Sequence, residues 1–222
     1  MAQKFRILSI AALVTLVGAM GASASTIDFT DNGSYTFSPA AATGSVDGVG
    51  WTLDSNPNTS SLTNSEAYNG TTTPVTPLAL ENDGVGVILN PNQIDDEVTF
   101  PKESLTMTFD QEVDVTGFYF LDLFGRETVT IYADGNLLTP ITTVTSPWGP
   151  SDNSQGGYVY YALDASVTTL TFVPGSSNDN RGKPDFALAG IDLAAIPVPA
   201  AGLLLLTALG GLALARRRKT AA

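Results

Sequence analysis

The chain has 222 residues, with no cysteine, no histidine, and 22 acidic against 10 basic residues, a net charge of −12 at pH 7. Without cysteine or histidine there are no disulfides, no thiolate or imidazole metal sites, and no Ser-His or Cys-His nucleophile pair. All the acids fall between Asp28 and Asp192, together with only four of the cations, so this region carries a net −18 and repels nucleic acid and anionic lipid.

The first element, residues 1–24, reads as a signal peptide. Lys4 and Arg6 precede an apolar run from Ile7 to Met20, and Ala22-Ser23-Ala24 forms an A-x-A cleavage site. Small side chains at Ala22 and Ala24 suit the shallow pockets of a signal peptidase, which makes Ser25 the expected mature N-terminus. The 14-residue run spans about 21 Å as a helix, short of a ~30 Å hydrocarbon core. Cleavage is therefore expected rather than retention as an anchor.

Residues 25–195 are long enough for one domain with a sizeable core. From Ser38 to Pro77 the chain is rich in Ser, Thr, Asn, Gly, Ala and Pro, with short apolar segments such as Val49-Gly-Trp51-Thr-Leu53. This reads as long surface loops joining short strands. Gly84-Val-Gly86 has no phosphate-loop lysine after it and reads as a turn.

Beyond Val98 a period of two becomes plain. Leu105, Met107 and Phe109 alternate with Thr106 and Thr108; Phe118 and Phe120 face opposite to Tyr119 and Leu121. Val129-Thr-Ile131 leads to Asp134-Gly135, a pair suited to a tight hairpin. Leu170 and Phe172 alternate with Thr169 and Thr171, and Phe186 to Leu193 closes the domain. No stretch of residues 25–195 keeps a helical period. The expected fold is all-β, a two-sheet antiparallel β-sandwich of roughly eight to ten strands.

Three constellations could carry chemistry in this domain. Paired carboxylates are the one catalytic toolkit left, and Glu103, Glu112, Asp122 and Glu127 lie on or beside strands. In so acidic a chain a solvated surface accounts for them more simply. No organic cofactor is implied. A structural calcium ion would suit the clustered oxygen donors of Asp95-Asp96-Glu97 or of the loop from Ser177 to Asp185, although Arg181 before Gly182 breaks the EF-loop template there. The sharper candidate is aromatic. With Val159, Tyr161 and Leu163 on the apolar face, Tyr158 and Tyr160 share the other, just after Trp148 in a Pro/Gly loop. Flat exposed rings are what pyranose faces stack on; packing under loops or against a sheet edge is the competing expectation.

The chain then reaches Ile196-Pro197-Val198-Pro199-Ala200, an apolar run from Ala200 to Ala215, and Arg216-Arg217-Arg218-Lys219. As a helix the run spans about 24 Å and can cross a bilayer when the arginines snorkel and the bilayer thins. The four cations should stay on the cytoplasmic side. This three-part tail, residues 196–219, resembles the sorting signal of PEP-CTERM proteins, in its VPLPA-CTERM variant, with aliphatic replacements at Ile196 and Val198. Such proteins are the proposed substrates of exosortases, membrane proteases of Gram-negative bacteria. The resemblance implies transient anchoring in the inner membrane, cleavage near Pro197 to Ala200, and delivery to the cell surface or extracellular matrix.

Leu105-Thr-Met-Thr-Phe-Asp110, Val113-Asp-Val-Thr-Gly-Phe118, Val129 to Gly135 and Phe186-Ala-Leu188 are in turn similar to the jelly-roll, galactose-binding-like ectodomains common in that family. Many of those end in a strand with two acidic positions, which here are Ala189 and Gly190. The expected function is a non-enzymatic surface protein associated with extracellular polysaccharide. The alternatives are a carboxylate-dependent glycan hydrolase and a purely structural surface-layer component.

Overall fold

The computed structural model describes residues 24–56, 60–88, 103–149, 154–175 and 185–195, all within one compact unit, Ala24–Ala195. Residues 1–23, the candidate calcium run Asp95 to Glu97, residues 177–184 of the second candidate and the sorting tail 196–219 lie outside the described residues.

The described residues form eleven strands and no helix: β1 (Ser25–Asp28), β2 (Thr36–Phe37), β3 (Ala41–Val46), β4 (Val49–Asn56), β5 (Ser61–Thr63), β6 (Gly86–Ile88), β7 (Ser104–Leu121), β8 (Thr128–Ala133), β9 (Thr142–Thr145), β10 (Val159–Pro174) and β11 (Ala187–Leu193). Nine belong to one continuous antiparallel sheet in the order β2-β3-β4-β7-β10-β8-β9, with β11 pairing β7 and β1 pairing β11. β5 and β6 form a separate ribbon.

The long β7–β10 ribbon explains how one sheet buries its own face. The first half of β7 pairs with β4 and the second half with β11, while β10 follows both halves. Phe118 pairs with Tyr161; Phe172 lies eleven residues further along β10, about 36 Å away on a straight strand. Yet the Phe118 and Phe172 rings meet edge-to-face at 5.4 Å. The ribbon must therefore fold back on itself. Register shifts between Ala162 and Ala165 and between Val167 and Thr169 mark the bend, where unpaired residues bend a strand and increase its twist. Phe29 against Trp51 at 5.4 Å and Phe120 against Phe186 at 5.6 Å fill the space between the halves. The packing is sandwich-like, but it arises from one bent sheet rather than from two separately hydrogen-bonded ones.

Ser38–Pro77 holds the short strands β3, β4 and β5 joined and followed by loop, as expected, whereas two other local expectations need correction. Asp47-Gly48, both left-handed at φ 50° and 83°, joins β3 to β4 in a two-residue turn with Val46 opposite Val49. Gly84-Val85-Gly86 is not a free turn: Val85 exchanges backbone hydrogen bonds of 2.9 and 3.0 Å with Leu188, and a Cβ at Gly84 would lie 2.5 Å from the Leu188 carbonyl. Asp134-Gly135 does turn the chain, closing a 3.0 Å bond from Asn136 N to Ala133 O. The loop then continues to Ile141 before β9 begins.

The two halves give the domain a polarity. Ser25 pairs with Leu193, so both chain ends of the unit emerge side by side near the bend. Leu121, Val159 and Ala187 lie at the opposite end of the same strands.

Candidate functional site: an aromatic face outside β7 and β10

Strand alternation sorts the second half of β7. Phe118 and Phe120 point into the core, which leaves Tyr119 and Leu121 on the outer face. Tyr160 of β10 stands directly opposite Tyr119, with Tyr158 two residues along on the same face. On the other side, Gly190 and Asp192 of β11 stand opposite Tyr119 and Gly117.

These neighbours pack closely. The Tyr119 ring lies 4.7 Å from that of Tyr160 and 6.2 Å from that of Tyr158. Tyr160 rests on Gly117, where an added Cβ would come 2.5 Å from its hydroxyl and 2.6 Å from its ring. Asp192 ties the group together: Tyr119 Oη donates to its Oδ2 at 2.7 Å and Thr26 Oγ1 to its Oδ1 at 2.6 Å. The Tyr160 phenol lies close enough to this carboxylate for its charge to act on it.

Exposure divides the three rings. Tyr119 is buried and Tyr158 half-buried, whereas Tyr160 is 44% exposed. Burial and then the Asp192 carboxylate raise the Tyr119 and Tyr160 phenols above their ordinary range. Burial also raises Tyr158, against an opposing hydrogen bond with Thr76. All three rings therefore keep their protons at neutral pH and act as donors.

A cover loop, residues 64–83, borders the face. Leu78 packs on Tyr119, Leu121, Ala187 and Ala189, and the loop is pinned by Ala79 N to Asp28 Oδ2 at 2.7 Å and Leu80 N to Thr30 Oγ1 at 2.8 Å. A Cβ at Gly190 would meet Leu78 Cδ2 and Ile27 O at 2.9 Å. Ala189 is buried and Gly190 has no room for a side chain, so the two acidic positions of the resembling domains have no counterpart in this packing.

Trp148 reaches the start of β10 by another route. Its indole N–H donates to the Tyr158 carbonyl at 2.7 Å, and its backbone N–H donates to Ser146 Oγ at 3.1 Å. The residue is half-buried and its N–H is spent on the backbone. Tyr158 and Tyr160 do share a face, but the ring packed against both is Tyr119, which the alternation of β7 sets opposite Phe118 and Phe120 and which the sequence alone did not bring to the other two tyrosines. Its alternation with Phe118 and Phe120 was the available signal.

The four carboxylates do not converge. Glu112 is exposed at the bend and Asp122 buried at the far end of β7, about 33 Å apart along an extended strand. Glu103 is buried just before β7, and Glu127 accepts from Phe124 N at 2.8 Å. Asp122 adopts φ 54° and accepts from Asn69 Nδ2 at 3.1 Å. Burial, followed by the Asp83 charge, pushes its carboxyl well above the usual range; Asn69 opposes this while Glu66 and Asp185 add to it. Among the described residues no three such side chains are placed to hold a metal ion. A polar cleft of ≈ 470 Å³ between β4 and β7, lined by Asp54, Ser55, Asn56, Ser60 and Thr106, lies on the other half of the sheet.

No protein-family model and no curated protein matches the chain. Among solved structures, "Truncated AlyQ with CBM32 and alginate lyase domains" is 11% identical over 43% of this chain and 25% of that one, with a TM-score of 0.31. The chain thus spans a quarter of that structure's length. "CpGH89CBM32-5, from Clostridium perfringens, in complex with GalNAc-beta-1,3-galactose" is 13% identical over 61% of this chain and 96% of that one, with a TM-score of 0.28. Likenesses at this level establish neither a family nor a ligand.

Proposed function

We propose that this is an exported, non-enzymatic surface protein that binds extracellular polysaccharide through its outer aromatic face. The observation that carries the reading is Tyr160, exposed yet seated against Gly117 and the Tyr119 ring. A ring fixed in this way loses little freedom when a sugar's C–H face stacks on it. The dense negative charge of the region suits a neutral glycan better than an anionic partner. Asp192 is engaged by Thr26 and Tyr119, so in this reading it orients rings rather than attacking substrate.

Export and display rest on the two terminal segments. Signal peptidase cleaves before Ser25, and an exosortase-like protease removes the tail near Pro197 to Ala200 after transient anchoring in the inner membrane. Terminal sequencing of the mature protein should then read from Ser25, and its intact mass should lack Arg216 to Lys219. Retention of Met1 or of the arginines in the host contradicts the corresponding step.

Binding is tested by incubating the chain from Ser25 onward with the host's own polysaccharide. Retention without shortening of the glycan is expected. Gly117→Ala, which pushes the Tyr160 ring off its seat without deleting it, should weaken retention severalfold. Shortening of the glycan would favour a hydrolase, and neither retention nor shortening a purely structural component.

A further inference from the structure

Ser25 is placed in an uncommon way for a residue at a processing boundary. It opens β1, and its hydroxyl donates to Asp47 Oδ2, on the two-residue turn between β3 and β4. That bond links β1, on the branch that reaches β7 through β11, to the turn of a hairpin that reaches β7 through β4, two elements that are not neighbours in the sheet. Ala24, the residue before it, is exposed.

We propose that Asp47 is a docking site for the chain's own processed N-terminus, its ligand being the primary ammonium of Ser25 released by cleavage after Ala24. The inference rests on the export reading above. Hydrolysis of the Ala24–Ser25 bond adds water: the hydroxyl goes to the Ala24 carbonyl carbon, which leaves with the signal peptide, and hydrogen goes to the Ser25 nitrogen. That amine takes up one further proton at neutral pH.

The geometry puts the new charge beside the carboxylate. The Ser25 nitrogen is separated from its own Oγ by three bonds, so it lies within about 6 Å of the Asp47 oxygen that Oγ touches. Phe29 N donates to Ala189 O at 2.9 Å, and antiparallel alternation makes Ser25 with Leu193 another hydrogen-bonded pair two steps along. One N–H of the ammonium therefore keeps the ladder bond, which leaves two protons for Asp47.

The surrounding charges favour the same outcome. Asp28 lies on β1 itself; Asp192 on β11 is engaged by Thr26 and Tyr119; Asp114 on β7 accepts from Ser166. Arg126, the one Lys or Arg among the described residues, sits in the turn beyond the far end of β7. Among the described residues, the charged groups on the elements next to β1 and its turn partner are thus carboxylates. The pKa of the new ammonium should therefore rise above the ~7.7–8.0 of an unperturbed α-amino group. A raised folded-state value contributes stability that is complete below the unfolded pKa and is lost as pH rises through the folded one.

The test compares purified chains that run to Ala222 and whose first residue is set by the expression route, so it does not depend on where the host cleaves. One begins at Ser25, one at Ala22, and each is also made with Asp47→Asn. Asparagine tolerates the left-handed turn at this position, so the fold is kept. At pH 7 the Ser25 form should melt about 3 °C above the extended form. The gap should close above about pH 10, after N-terminal acetylation, and in Asp47→Asn. Equal melting at pH 7, or a gap that survives at pH 10.5 or in Asp47→Asn, would overturn the docking site.

Discussion

The two faces of the second half of β7 are built from nearly the same side chains to different ends. Inward, Phe118 and Phe120 meet Phe172 and Phe186 in edge-to-face contacts with no polar atom among them. Outward, Tyr119 supports Tyr158 and Tyr160, and its hydroxyl is tied to Asp192. One oxygen per ring separates a face that only packs from one that packs and also presents a surface. The outer face trades some burial for orientation, because a hydroxyl anchored on a fixed carboxylate sets where its ring lies.

That contrast can be broken most severely from the inside. Phe118→Ala removes a fully buried ring that touches both Phe120 and Phe172 and should cost about 3–5 kcal/mol in denaturant unfolding. Tyr119→Phe keeps the ring and deletes only the hydroxyl donated to Asp192; a loss of about 1–2 kcal/mol is expected, since the acceptor is charged. A loss as large as that of Phe118→Ala would mean that both faces are simply core.

A smaller effect of opposite sign is expected at the end of the strand. The folded-state pKa of Asp122 is raised, so its contribution to stability is complete below the unfolded value of ~3.9 and falls as pH rises through the folded value. Asp122→Asn keeps an acceptor for Asn69 and suits the left-handed φ of 54°. It should raise the melting temperature at pH 7, with the gain shrinking as pH falls toward 4. A gain that does not depend on pH would show that charge is not its cause.

Much of this contrast was legible in the sequence, because period-two alternation of large apolar residues marks β7, β10 and β11 directly. The faces of Phe118 to Leu121 and of Tyr158 to Tyr160 follow from it. The β3–β4 hairpin was missed because β3 is made mostly of small residues: Gly44 lies under the Trp51 ring, so the apolar bulk comes from Val49, Trp51 and Leu53 of β4 rather than from β3 itself. Asp47-Gly48 was the signal that could have found it. The fold-back of β7 on itself has no local signature, since it depends on Phe118 meeting a ring that pairs with the other half of the same strand. Packing of Leu78 over Gly190 is equally non-local.

The most direct test of the outer face is the affinity for the host polysaccharide of the Ser25-initiated chain, compared with Tyr160→Phe and Tyr160→Ala. The ring is 44% exposed, so both variants should stay within about 1 kcal/mol of the parent in stability. Tyr160→Phe retains the stacking surface and should bind within about threefold of the parent, whereas Tyr160→Ala should bind at least tenfold more weakly, the share of a central aromatic contact. Unchanged affinity in Tyr160→Ala would contradict the account, as would a fall in its melting temperature as large as that of Phe118→Ala, which would assign this ring to the core.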